Sequence, residues 1–254
     1  MTLTKSQEKG CVLWYDSTAL PQGEPRLFDL AWLRENGHLA GSSTGRNQAW
    51  FLRYNGLELV WRHFWRGGLV GRVNRDLYLR RPAAQSRAME EFMLLDWMRE
   101  QGLPVPRPIM ARYQPAGLFY RADLITERIP QSRTLAEVLR DAPLSAAVWG
   151  QIGQVIAQMH VAGVDHTDLN CRNILLDEAG KVWLIDFDKC ARRRPGGWQA
   201  ENLSRLHRSL VKEQGKVAGL HWSPQDWQAL QAGYDAEVSA VSGKPEQADG
   251  YGKV

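Results

Sequence analysis

One stretch near the middle of the chain limits its fold more than any other. His166-Thr-Asp-Leu-Asn-Cys-Arg-Asn173 is followed by Ile-Leu-Leu, the turn Asp177-Glu-Ala-Gly180 and, after Lys181, Val182-Trp-Leu-Ile-Asp-Phe-Asp188. Asn173–Leu176 and Lys181–Asp186 read as two short apolar strands around a turn. Such strands need a core on at least one face, so their polar ends are carried to fixed places. Asn173 and Asp186 occupy such ends, and Asp168 lies in the loop that precedes the first strand. A solvated turn accounts for any one of these acids, but it does not account for the whole set between apolar strands.

The rest of the chain supplies a framework for that segment. Its 254 residues are enough for one large domain or two lobes. At 44% hydrophobic and 24% charged, wholesale disorder is excluded. No apolar run reaches the roughly 18–20 residues of a membrane-spanning helix, and Lys5, Glu8 and Lys9 interrupt the place where a signal-peptide core would lie. Cys11, Cys171 and Cys190 form no C-x-x-C pair, which argues against a disulfide framework or a zinc site. Cys171 and Cys190 flank the informative segment and read as packing residues.

Gln48–Tyr54 and Leu57–His63 read as strands joined by an Asn55-Gly56 type I′ turn, preceded by a small-residue loop from Gly41 to Gly45. Ser86–Gln101 reads as a helix on Met89, Phe92, Leu95 and Met98, stopped by Gly102. Gly117–Arg128 reads as a strand pair or one strand with a connector. Ser145–His160 reads as a helix with one apolar stripe, and Gln199–Ala240 as helical with breaks. The expected fold class is therefore α+β, with a strand-rich part over 1–129 and a helix-rich part over 130–254 that ends in a polar tail from about residue 242.

The 166–188 segment closely resembles the protein-kinase catalytic loop, with an Asn five residues after its Asp, and the D-F-G metal-binding segment. Phosphoryl transfer needs a carboxylate near the attacking hydroxyl and oxygen ligands that hold Mg²⁺ against the nucleotide phosphates. The resemblance gives Asp168 the role of base or orienting group, Asn173 and Asp186 the metal, and His166 the bracing of the loop. Arg62 stands where kinases carry the third-strand lysine, with Glu91 rather than Glu90 as its helix partner. Gly41 and Gly45 would cover the ATP phosphates. The connector Thr126-Glu-Arg-Ile129 would meet the adenine, chiefly through the backbone of Glu127 and Ile129. Three departures stand out. Thr167 replaces the usual Arg, Asp188 replaces the D-F-G glycine, and no A-P-E segment follows. These point away from a regulated protein kinase and toward a small-molecule or lipid-linked acceptor. Asp188 could add a metal ligand or simply rigidify the segment.

A second resemblance is more specific. Val60-Trp-Arg-His-Phe-Trp-Arg-Gly-Gly-Leu-Val-Gly-Arg72 resembles the V-L-R-H-Y-R-R-G-G-L-x-G-R stretch of the 3-deoxy-D-manno-octulosonic acid (Kdo) kinase family, lipopolysaccharide core kinases with a protein-kinase-like fold. Gly102-Leu-Pro-Val-Pro-Arg-Pro108 and His166-Thr-Asp-Leu-Asn170 match it too, and the likeness covers about residues 35–235. It implies a bilobal fold and ATP-dependent phosphorylation of the Kdo 4-hydroxyl in Kdo-lipid A or its precursor, at the cytoplasmic face of a Gram-negative inner membrane. It also implies an arginine in the third-strand position. A heptose kinase of the lipopolysaccharide core, a small atypical protein kinase and a nucleotide-binding pseudokinase scaffold are the alternatives.

Net charge is +4, and residues 61–81 carry Arg62, Arg66, Arg72, Arg75, Arg80 and Arg81 against the single acid Asp76, interleaved with Trp61, Phe64, Trp65 and Tyr78. Such a patch either faces an anionic membrane surface or is paired and packed internally. No RNA- or DNA-binding motif accompanies it, so no nucleic-acid partner is expected. Arg192-Arg-Arg194 is a second basic run, suited either to an anionic substrate or to solvation.

Overall fold

The computed structural model of the chain describes residues 1–8, 10–43, 48–66 and 76–242. Gly45, Arg72, Arg75 and the tail beyond Ser242 lie outside them. The chain is a mixed α+β protein whose residues fall into two compact units. The first comprises Met1–Ser132, His166–Asp168 and Trp183–Ala191. The second comprises Arg133–Asp165, Leu169–Val182 and Arg192–Val254. The chain thus leaves the first unit after Ser132, three residues beyond the expected boundary, and returns to it twice for the informative segments.

The first unit is built on an antiparallel sheet. Its strands are β1 (Leu3–Glu8), β2 (Cys11–Asp16), β3 (Leu39–Ser42), β4 (Ala49–Tyr54), β5 (Leu57–His63), β6 (Tyr78–Leu79), β7 (Pro108–Ala116) and β8 (Phe119–Glu127). The order is β1-β2-β7-β8-β5-β4-β3, with β6 pairing against β8. Asn55 (φ 48°) and Gly56 (φ 77°) are both left-handed, as a type I′ turn requires, and set the β4–β5 register of Leu52 opposite Leu59 and Trp50 opposite Trp61. Those side chains, with Leu13, Ile109 and Ile125, form a core on one face, where the Trp50 and Trp61 rings lie 4.3 Å apart. The two-residue period of a strand sends Arg62 to the opposite face.

Of the two readings of Gly117–Arg128, one strand with a connector is the one formed: β8 pairs with β7, and Gly117 (φ 61°) is the turn between them. Gly41, read as part of a loop, lies in β3, and the loop closes where Ser43 N donates to Ala49 O (2.8 Å) and Ala49 N donates to Ser43 Oγ (2.9 Å).

Helix α1 (Leu30–Glu35) is capped by Asp29, whose carboxylate accepts from Ala31 N and Trp32 N. Helix α2 (Arg87–Glu100) buries Ala88, Met89, Phe92, Leu95 and Met98 and ends at Gly102 (φ 76°). Its one buried acid is Glu91.

The second unit is mainly helical: α3 (Leu135–Asp141), α4 (Ala146–Val161), α5 (Trp198–Gln214) and α6 (Pro224–Ser242). Thr134 and Glu137 form a reciprocal capping box on α3. Helices α4 and α6 approach so closely that a Cβ at Gly153 would collide with the Leu230 carbonyl. No described helix is long and apolar enough to cross a membrane.

Candidate functional site

Arg62 leaves β5 on the α2 side and meets two carboxylates. Its Nη2 donates to Glu91 Oε2 and Oε1 (2.5 and 2.6 Å), and its Nη1 is paired with Asp186. Glu91 is 3% exposed and also accepts from the Phe187 N–H (3.2 Å). One guanidinium thus ties the sheet, the helix and the Asp186 segment together. Arg62 lies well above the ordinary guanidinium range, because burial, which opposes its charge, is outweighed by Glu91, Asp186 and Asp188. The Glu91 carboxyl is pushed up to about 7, first by burial, with Arg62 acting against the shift and Asp186 and Asp188 adding to it. Two acids sharing one cation cannot both be fully compensated.

The segment that carries Asp186 turns sharply. Asp186 (φ 66°) and Lys189 (φ 64°) are both left-handed, while Phe187 is fully buried and anchors the loop. Asp188 is held by Arg87 at the start of α2, Nε to Oδ1 at 2.8 Å and through a second contact from Nη2. The residue that replaces the D-F-G glycine therefore locks its segment to a helix.

His166 is fully buried, and its Nδ1 accepts from Asp168 N (3.3 Å). That leaves Nε2–H to donate to Ile185 O (3.0 Å), which fixes the neutral tautomer. Burial first of all holds its pKa below the ordinary value. His166 is thus a brace that sets the backbone of Asp168 against that of Asp186. Burial pushes the Cys190 thiol up to about 12 and raises Cys171 as well, so neither is a thiolate at neutral pH.

Asp168, Asp186, Asp188, Arg62 and Arg87 all line one cavity of about 800 Å³ in the first unit. His63, Arg66 and Lys189 line it too. His63, which the sequence reading left without a role, sets its Nδ1 2.7 Å from Asp123 and its Nε2 3.3 Å from Asp76. Asp123 is fully buried and also accepts from Trp61 Nε1 and Arg112 Nε (both 2.9 Å). Although burial acts first to raise it, these partners hold its carboxyl below the usual range. This knot steadies the strand that delivers Arg62. Its only sequence signal is an acid inside an apolar strand.

In the first unit Glu127 and Ile129 are not part of this cavity's lining. Glu127 N donates to Arg107 O (2.8 Å), and the Ile129 carbonyl accepts from Ser132 Oγ (3.0 Å), so these connector groups are already engaged. Asn173 belongs to the second unit, is 8% exposed, and donates its N–H to Asn170 O (3.0 Å). In that unit Arg193 is paired with Asp165 (2.7 Å), so the Arg192-Arg-Arg194 run is in part structural. Among the described residues, no group of three His, Cys, Asp or Glu converges to hold a metal ion. Within the cavity the hard oxygen donors are Asp168, Asp186 and Asp188, a donor type that suits Mg²⁺, and the last two are each held by an arginine.

Residues 30–234 match the model of the lipopolysaccharide kinase (Kdo/WaaP) family. The chain is 42% identical over 219 residues to a Vibrio parahaemolyticus protein named 3-deoxy-D-manno-octulosonic acid kinase, covering 86% of this chain and 92% of that one. It is 43% identical over 223 residues to the protein of that name from Photobacterium profundum, covering 88% and 94%. With the Pasteurella multocida protein of the same name it shares 42% over 217 residues, covering 83% and 90%. The family match spans the strand that carries Arg62, the helix that carries Glu91 and the loop that carries Asp168, and the chain belongs to the lipopolysaccharide kinase (Kdo/WaaP) family.

Proposed function

We propose that this chain transfers the γ-phosphoryl group of ATP to the 4-hydroxyl of a Kdo sugar carried on lipid A or its precursor. The observation that carries this reading is the Arg62 bridge to Glu91 and Asp186 at the wall of the cavity that Asp168 enters. A nucleotide brings several negative charges, and a guanidinium held from behind by a buried glutamate is placed to meet them. Asp168, exposed on the cavity wall, orients the acceptor hydroxyl and takes its proton. Mg²⁺ would supply neutralisation of phosphate charge. In this unit Asp186 is the carboxylate that would hold it; Asn173, the other residue expected to bind metal, belongs to the second unit. We read the two units as the lobes of a protein-kinase-like fold. In support, the strand-rich unit carries the arginine–glutamate pair, and the four helices beyond Ser132 all belong to the second unit.

Purified protein given ATP, Mg²⁺ and Kdo-lipid A precursor should yield a product heavier by one phosphate. A heptosylated acceptor taken in preference to the Kdo-only one would instead assign a heptose kinase.

A peripheral position at the cytoplasmic face of the inner membrane belongs to the same proposal. The basic stretch is not a single surface, since Arg62 is bridged internally and Trp61, Phe64 and Tyr78 are buried. A different feature supports the position. Leu79 (68% exposed) and Leu118 (80% exposed) are neighbours, because β6 pairs with β8 and Arg80 N donates to Leu118 O at 2.9 Å; exposed Arg80 and Arg81 flank them. Two inserted leucines at about 1.5–3 kcal/mol each and two arginines at about 1 kcal/mol each suffice for reversible binding to an anionic surface. Binding to vesicles of anionic lipid is expected to fall at least about tenfold in a Leu79→Ser/Leu118→Ser variant. Unchanged binding would remove this patch from the proposal.

A further inference from the structure

The cavity holds more positive charge than its own acids pair with. Arg62 is engaged by Glu91 and Asp186, and Arg87 by Asp188. Arg66 and Lys189 line the same cavity, yet neither is within ion-pairing distance of an acid among the described residues, and residues 67–75 beside Arg66 contain no Asp or Glu.

Both cations are nevertheless placed with care. The Arg66 guanidinium lies over the Tyr78 ring at 5.1 Å, and that ring is 7% exposed and also faced by Arg87 at 4.7 Å. Stacking on a buried ring holds the plane of a guanidinium and leaves its in-plane N–H donors for another partner. Two guanidinium groups against one ring repel each other unless each has an anion. Asp188 supplies one for Arg87, and no acid among the described residues supplies one for Arg66. Lys189 stands at φ 64°, a backbone state that a lysine adopts only when its surroundings impose it. The fully buried Phe187, whose carbonyl accepts from Cys190 N (3.0 Å), imposes it and brings Lys189 to the cavity.

We propose that Arg66, assisted by Lys189, seats the carboxylate of the acceptor sugar and so presents its hydroxyl to Asp168. This rests on the Kdo reading above. Kdo is an acid, and a planar carboxylate meets a planar guanidinium through two parallel N–H···O bonds. A neutral heptose would leave Arg66 without an anion, so the same contact selects between the two sugars.

The test compares Kdo-lipid A with the same acceptor after its sugar carboxylates are reduced to hydroxymethyl groups. Wild-type protein should prefer the native acceptor by about tenfold to a hundredfold in kcat/KM. Arg66→Gln should lose about that factor on the native acceptor, lose little on the reduced one, and keep its KM for ATP. Arg66→Lys should fall between, because charge is kept and the fork is lost, and Lys189→Gln should lose less. Equal losses on both acceptors, a raised KM for ATP, or an Arg66 effect that vanishes when the lipid A phosphates are removed would overturn the assignment. Failure of the Kdo reading itself would show separately, as no transfer by the wild-type protein.

Discussion

Replacing Asp168 by Asn is expected to lower kcat by about a thousandfold while KM for ATP changes by less than about threefold. Asn keeps the backbone N–H that donates to His166 Nδ1, so the brace beneath residue 168 survives. It also keeps the shape of the side chain and removes its basicity. On the proposed reading the nucleotide would be met by Arg62 and the Asp186 segment, whose bridge to Glu91 does not include residue 168. A variant with near-normal turnover would show that Asp168 neither accepts the proton nor orients the hydroxyl. One that lost ATP affinity in proportion would show that it belongs to the nucleotide side.

The largest stability effect is expected at Arg62. Arg62→Ala leaves Glu91, 3% exposed, and Asp186 without their shared cation. Removing one partner of a buried ion pair costs about 3–5 kcal/mol. The loss should depend on pH in a definite direction. Folded Glu91, raised to about 7 from an ordinary 4.5, holds a proton that the unfolded chain releases. Its contribution to stability is therefore greatest below about pH 4.5 and declines as pH rises through 7. Without Arg62 the carboxyl is driven higher still. The gap in Tm between wild type and variant should thus be wider at pH 8 than at pH 5.5. Equal gaps, or an unperturbed Tm, would mean that Glu91 is not ionised against Arg62. Arg62→Lys should recover part of the stability, since one ammonium reaches either carboxylate but cannot fork onto both.

Where local signals are strong, the fold is legible in the sequence. Asn55-Gly56 fixes its hairpin because only left-handed residues fit that turn, and the spacing of Met89, Phe92, Leu95 and Met98 fixes the helix face. Glu91 falls beside that stripe and Glu90 does not, which separates the buried acid from the exposed one. Strands β1 and β2 carry no such mark. Nearly all of β1 is exposed and β2 is buried on both faces, so neither alternates. The same holds for Pro108–Met110 and Ala111 in β7, all buried, so of that hairpin only the β8 segment is legible. Helix α3 is too short for periodicity, though its Thr134–Glu137 capping box was available to read. At the site, motif spacing reaches Asp168, Asp186 and Arg62. It does not reach the bond from Arg87 to Asp188, residues 101 positions apart, which depends on how α2 packs. Nor does it show that Arg66 has no acid partner among the described residues, since that is a property of three dimensions.

Mass spectrometry of the lipid A core from cells with and without this gene tests the assigned reaction most directly. Cells that express the chain should carry one additional phosphate on the Kdo residue, and cells that express the Asp168→Asn variant should lack it. An unchanged Kdo region, or a phosphate that disappears from a heptose instead, would contradict transfer to Kdo.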